Sequence, residues 1–261
     1  MHMARSLLNG DRMEVSLYSA AAAMNATERW QDLVADNLSS ASIPGARQQE
    51  ISFSAVQAGL APTAPGSAQS AFVMPFAGAT TNFSQGELKA TGNNMDFALE
   101  GPGFFSVRMP DGSTAYTRDG EFKLNGQGQL TTKQGYPLIG DTGSLTFDPN
   151  NPAPINISAT GDVSQGADIK GKISVTEFGN MKAVTMGSGG YFQADSILAK
   201  AKPAATTSVR QGFVEASNAS PTLAMASLIT SMRMFESNQK VMQMQSDRMT
   251  KTITDLSGTS A

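Results

Sequence analysis

Ser220-Pro221-Thr222-Leu223-Ala224-Met225-Ala226-Ser227-Leu228-Ile229-Thr230-Ser231-Met232-Arg233-Met234-Phe235 opens a run with no further proline and no glycine until Gly258. Ser220 can cap a helix end, and Pro221 suits a first turn, where the missing N–H costs no hydrogen bond. Within the run, Met225, Leu228, Met232, Phe235, Gln239, Met242, Ser246, Met249, Ile253 and Leu256 alternate in steps of three and four. That spacing predicts one long helix whose seam lies along another helix. At a rise of about 1.5 Å per residue the helix would be roughly 50 Å long, too long to dock along one small domain. Six of the chain's 15 methionines fall in it, and methionine adapts to unequal neighbours. Gln239 and Ser246, one heptad apart inside the seam, are expected to lower stability while fixing register.

A second seam sits at the other end of the chain. Leu17, Ala20, Met24, Thr27, Gln31, Val34 and Leu38 alternate in the same way, with Trp30 and Leu33 widening the stripe. This helix is predicted to stop between Ser39 and Gly45, where small polar residues lead into Pro44-Gly45. Gly59 to Ser70 is an uncharged stretch rich in Ala, Pro and Gly, read as part of an extended linker. From Asn82 to Arg210 the texture changes again. Pro110-Asp111-Gly112, Asp119-Gly120, Asn125-Gly126, Gln134-Gly135, Asp148-Pro149 and Thr160-Gly161-Asp162 separate short apolar runs. Turn chemistry recurring about every 8–12 residues predicts antiparallel strands, here over 104–109, 115–117, 121–124, 129–132, 144–147, 172–178 and 191–193.

The fold class that results is a mainly β head domain of short antiparallel strands, plus long N- and C-terminal α-helices forming a coiled-coil-like stalk. Its expected parts are a leader or extension over 1–13, an N-terminal helix and turn over 14–45, and the linker over 46–81. The β domain covers 82–210 and the C-terminal helix 211–261.

Composition narrows function from the other side. The chain has 261 residues, no cysteine, one histidine (His2) and a net charge of −3. Thiol catalysis, disulfides, Cys/His zinc sites and a Ser-His-Asp triad deep in the chain are thereby excluded. No cationic field is present to hold nucleic acid. No apolar run approaches the ~18–20 residues of a membrane span. Ala21-Ala22-Ala23 could mimic a signal cleavage site, but the helical period continues straight through it. Asp119 and Glu121 would share one strand face, the placement a paired glycosidase acid and base would call for. Asp119 nevertheless adjoins Gly120, where aspartate is favoured for backbone hydrogen bonding. Gly126-Gln127-Gly128 and Gly187-Ser188-Gly189-Gly190 lack the Gly-Lys-Ser/Thr ending of a phosphate loop and read as turns. No catalytic residue, metal ligand, cofactor or small-molecule substrate is expected. A secreted β-domain binding module, for glycan or surface adhesion, is the alternative reading.

Several segments, in this order, resemble the flagellar hook and basal-body rod protein family. Ala35-Asp36-Asn37-Leu38 through Gly45 is similar to the family's Asn-Asn-Leu-Ala-Asn segment and the turn after it. Gln85-Gly86-Glu87-Leu88, Thr91 to Phe105 and Tyr116-Thr117-Arg118-Asp119-Gly120-Glu121-Phe122 are similar to a rod-protein signature. Gln211-Gly212-Phe213-Val214-Glu215-Ala216-Ser217-Asn218 and Arg233 to Lys240 resemble its terminal motif. The family's turn is usually followed by an aromatic and a basic residue, whereas here Ala46 precedes Arg47, and residues 1–12 have no counterpart.

The resemblance implies a structural axial component of the bacterial flagellar rod, exported by the flagellar type III apparatus without a cleaved signal peptide. It implies self-assembly through terminal helices into a hollow, torque-transmitting shaft in the periplasm. The partners implied are other copies of the chain and adjacent rod and hook proteins. The residues expected to carry that assembly, drawn from the two seams and the Asn37-Leu38 motif, are Leu17, Met24, Val34, Asn37 and Leu38 at one end. At the other they are Met225, Leu228, Met232, Phe235, Gln239, Met242, Met249, Ile253 and Leu256.

Overall fold

The computed structural model describes residues 2–60, 71–148, 151–195 and 197–258, with side chains described over 18–54, 77–148, 151–187, 189–195 and 197–254. Leu17 and Leu256 as side chains, residues 61–70 of the expected linker and Pro149 of one expected turn lie outside these. The chain divides into two compact units. One holds the first helix as far as Asp36, the strands of 49–80 and the last helix from Thr222; the other holds 37–48 and 81–221.

The helical unit contains α1, His2–Ser40, and α2, Pro221–Gly258. Helix α1 runs without a break through Ala21-Ala22-Ala23. Pro221 opens α2, and nothing that breaks a helix follows before Gly258. The stretch 46–81, expected as a linker, contains two long strands, Gln49–Leu60 and Ala71–Thr81, paired into a two-stranded sheet. Trp30 on α1 meets Phe53 of the first strand edge to face, with ring centroids 5.7 Å apart.

The second unit is built from short strands, as the turn spacing predicts. Its six-stranded sheet runs Val184–Met186, Tyr191–Ala194, Thr114–Thr117, Phe104–Arg108, Val175–Phe178, Ala201–Pro203, every neighbouring pair antiparallel. Smaller sheets surround it. Three strands join over Ile155–Ile157, Asp162–Gln165 and Asp168–Lys172. Ser208–Gln211 pairs with Phe97–Glu100, and Phe213–Glu215 with Leu88–Ala90.

Alternation along the central strands sorts side chains to opposite faces. Phe105, Val107, Ala115 and Tyr191 enter one apolar core with Phe97, Leu130 and Leu138. Phe104, Tyr116, Phe178 and Phe192 enter a second core on the other face. Both faces of the sheet are therefore covered, which is why Phe104–Ser106 and Ala115–Thr117 are buried without a polar-out rhythm. In the hairpin joining those two strands, Asp111 Oδ1 accepts from Ser113 N at 2.8 Å, the local bond for which aspartate is favoured in turns.

Candidate assembly interface

In α1 the packed face is Ala20, Thr27, Leu33 and Val34, all buried, with Met24 and Gln31 partly covered. Asn37 is also buried and Leu38 half-buried at the end of the helix. In α2 the more covered positions are Ala224, Leu228, Ser231, Phe235, Asn238, Met242, Gln245 and Met249, again in steps of four and three. Leu228, Phe235, Met242 and Met249 belong to the seam read from the sequence. Its other members do not lie on this face. Met225 is 53% exposed and Met232 51%, and Gln239, Ser246 and Ile253 are exposed as well.

The two helices are tied by a directed bond. The Thr27 hydroxyl donates its one proton to Ala23 O at 2.7 Å, so its oxygen can only accept from Asn238 Nδ2, at 3.2 Å. Ala46 and Asn218 are also hydrogen-bonded to each other. Thr27 lies about as far before Ala46 as Asn238 lies after Asn218, so α1 and α2 run antiparallel. Covering one face of α2 leaves apolar residues on both of its flanks. Met225, Ile229 and Met232 lie on one side of the covered face, and Leu223, Met234 and Val241 on the other, all exposed.

The β unit carries a second arrangement that the sequence does not announce, at the two points where the chain enters and leaves it. Glu215 and Arg47 have no exposed side-chain surface, and Arg118 is almost as deeply buried. Arg47 Nη1 lies 2.6 Å from Glu215 Oε1, and Arg118 Nη1 lies 3.1 Å from Oε2. Glu215 Oε1 also accepts from Gly86 N at 2.8 Å. The Arg47 contact is close in distance but poorly aligned, and its guanidinium nitrogens make no hydrogen bond of good geometry. Charge, more than direction, holds it. Arg118 is better satisfied, donating through Nη2 to Gly101 O at 2.5 Å and lying 4.8 Å above the Phe104 ring. Burial pulls Arg118 down to about 10, the Glu215 carboxylate opposing and Arg47 adding to the fall; it remains charged at neutral pH.

Backbone contacts complete this clasp. Gly45 N donates to Glu215 O at 2.7 Å, Gln48 N to Asn218 Oδ1 at 2.6 Å, and Ala216 N to Glu87 O at 2.8 Å. Asn218 Nδ2 reaches Asn82 O and Ser84 O, each at 2.9 Å. Gly45 has φ +70, and a Cβ there would stand 2.2 Å from the backbone carbon of Arg118; only glycine fits. Ala46, which stands where the family usually has an aromatic residue, and Arg47 after it are both fully buried. Arg47, Arg118, Glu215 and Asn218 are the residues that periodicity missed. Two of the quoted motifs contain Arg118, Glu215 and Asn218, which was the available signal.

The carboxylates considered for chemistry are placed for structure. Asp119 is 6% exposed and its Oδ1 accepts from Glu121 N at 3.0 Å. Burial pushes its carboxyl up to about 6, the neighbouring Glu121 and Asp96 carboxylates adding and the Glu121 N–H and Lys133 opposing. Glu121 is paired with Lys133. Among the described residues no group of acidic residues or histidine is arranged to hold a metal ion, and no helix is long and apolar enough to cross a membrane.

Comparison with known proteins agrees with this layout. Residues 98–194 match the flagellar hook protein FlgE/F/G D1 domain, and residues 210–256 match the flagellar basal body rod FlgEFG protein C-terminal region. The chain is 33% identical to the flagellar basal-body rod protein FlgF of Caulobacter vibrioides over 88% of its own length and 93% of that protein. It is 30% identical to FlgF of Escherichia coli over the same shares. To the rod protein FlgG of Borreliella burgdorferi it is 30% identical over 87% of this chain and 93% of that one. With both domain matches in chain order and relatives at 30–33% identity covering most of both chains, the chain belongs to the flagellar basal-body rod protein family, as a structural axial component.

Proposed function

We propose that the chain is a self-assembling subunit of the rod whose terminal helices find their remaining partners in other copies and in adjacent rod and hook proteins. One observation carries this reading. Of the 13 large apolar side chains left exposed among the described residues, eight lie on α2, six of them along the two flanks of its covered face. Singly scattered apolar residues need no explanation, but rows of them on one element mark an interaction surface. Two free flanks on one helix fit a tube in which each helix meets neighbours on both sides. Met225, Ile229 and Met232 are about half covered already, so complete burial adds on the order of 1 kcal/mol each. A single contact is weak and a repeated array is strong. In this reading the subunit is exported by the flagellar type III apparatus without a cleaved signal, assembles in the periplasm and transmits torque along a hollow shaft. Assembly residues are then the covered Met24, Val34, Asn37, Leu38, Leu228, Phe235, Met242 and Met249 as supports, with Met225, Met232, Gln239 and Ile253 facing outward. Leu17 and Leu256, whose side chains lie outside the described residues, continue the same spacing in the sequence. Met232→Asp tests it in a strain whose own copy is deleted. The variant should be exported with its β unit folded, yet basal bodies seen by electron microscopy should lack the axial structure beyond this subunit. Normal basal bodies would overturn the proposal.

A further inference from the structure

Helix α2 carries two overlapping seams that share Leu228, Phe235, Met242 and Met249. One is completed by Ala224, Ser231, Asn238 and Gln245, the other by Met225, Met232, Gln239 and Ser246. They differ by a rotation of roughly half the ~100° between successive residues. Hydrophobicity alone favours the second, with two methionines against one alanine. The structure turns the first, more polar one inward: Ser231 has no exposed surface, while Met225 and Met232 stay half in solvent. Something other than apolar burial chooses the facing.

We infer that the Thr27–Asn238 pair is a rotational lock, which holds the poorer seam of α2 against α1 and so keeps the methionine seam free for a second copy of this chain. The chemistry is specific. Thr27 is 5% exposed and has already given its proton to Ala23 O, so in this facing it offers Asn238 a lone pair. If α2 turned toward the methionine seam, Asn238 would leave, Thr27 would keep only its bond to Ala23 O, and Gln239, one methylene longer, would have to fold back to replace the lost donor. Small residues reinforce the choice. Counting heptads from Thr27 and Asn238 in an antiparallel pair sets Val34 level with Ser231 and Ala20 level with Gln245. Each layer matches a larger residue with a smaller one, as close helix packing requires. The free seam is continuous with the occupied one through the four shared residues, so an incoming helix completes a surface already half formed. Asn238 and Thr27 are positioning residues: they act through the direction in which Met225 and Met232 point. This inference rests on the assembly reading above, but its test does not.

The absence of cysteine makes the test clean. Disulfide formation needs Cα atoms within about 7 Å. In dispersed full-length chains, Val34→Cys with Ser231→Cys should oxidise at least about tenfold faster than Val34→Cys with Met232→Cys. Because Ser231→Cys itself alters the seam, Ala20→Cys paired with Gln245→Cys or with Ser246→Cys repeats the comparison two layers away. Adding Thr27→Val and Asn238→Leu, which removes the polar lock and adds apolar volume, should bring both ratios below about threefold. Ratios that stay at their original values in that background overturn the lock. Ratios that collapse in chains that still polymerise normally support the lock and count against the assembly reading.

Discussion

Glu215→Gln removes one charge and almost no volume from the place where three charged side chains are sealed together. In the native clasp one carboxylate faces two guanidinium groups, both buried. Without its charge, Arg47 and Arg118 are left facing each other with nothing to offset their repulsion. Arg47 suffers most, since its nitrogens have no well-aligned hydrogen bond to fall back on. Breaking a buried ion pair by neutralising one member costs about 3–5 kcal/mol. For a unit of this size each kcal/mol lowers the melting midpoint by about 2–4 °C, so a fall of roughly 6–20 °C is expected. Far-ultraviolet circular dichroism follows the whole chain, and the fluorescence of Trp30, the chain's one tryptophan, follows α1. The β signal should shift most. Replacing all three residues with apolar ones of similar size should recover at least half the loss, because it is the unpaired charge that is costly. A Glu215→Gln protein whose stability stays within about 1 kcal/mol of the native one would show that the buried charge is not needed to hold the two guanidinium groups.

Two further perturbations probe the β unit. Asp119 holds its proton more tightly folded than unfolded, with its carboxyl raised from 3.8 to about 6. Its contribution to stability is therefore full below about pH 4 and lost as pH rises through about 6. Asp119→Asn keeps the acceptor for Glu121 N, so it should stabilise the protein at pH 7.5 by on the order of 1–3 kcal/mol, an advantage that disappears near pH 4; an advantage independent of pH contradicts the assignment. A Cβ at Gly120 would stand 1.6 Å from Phe97 O, whereas one at Gly126 meets nothing within 4 Å. Gly120→Ala should cost at least about 3 kcal/mol and Gly126→Ala less than about 1, measured by urea unfolding; equal costs would mean the backbone can yield at Gly120.

The long helices were legible because their signals are local: Pro221 to start, Gly258 to stop and an unbroken three-four alternation between them. The strands were legible for a similar reason, since Asp111 makes its turn with Ser113 two residues away. Rotation of α2 was not legible. The shared positions Leu228, Phe235, Met242 and Met249 fit either seam, and the choice depends on Thr27, a partner 211 residues distant in sequence. Methionine content pointed to the seam that remains exposed. The strands within 46–81 were hidden because the uncharged Gly59–Ser70 stretch, rich in alanine, proline and glycine, dominates the reading, and the pairing partner of Gln49–Leu60 begins only at Ala71. Arg47 was hidden for the opposite reason. A charged residue beside a turn is normally solvated, and only the return of Glu215 from the far end of the chain makes its burial tolerable.

In this reading the methionine flank of α2 is open in the free subunit and closed in the rod. Because the chain lacks cysteine, Met232→Cys gives a single reactive thiol at that flank, and its maleimide labelling rate can be compared between dispersed subunits and isolated basal bodies. Labelling should be rapid in the dispersed chain and at least about tenfold slower in the assembled one, as expected when access to a thiol is removed. Equal rates in the two states would mean that this flank is not an assembly surface.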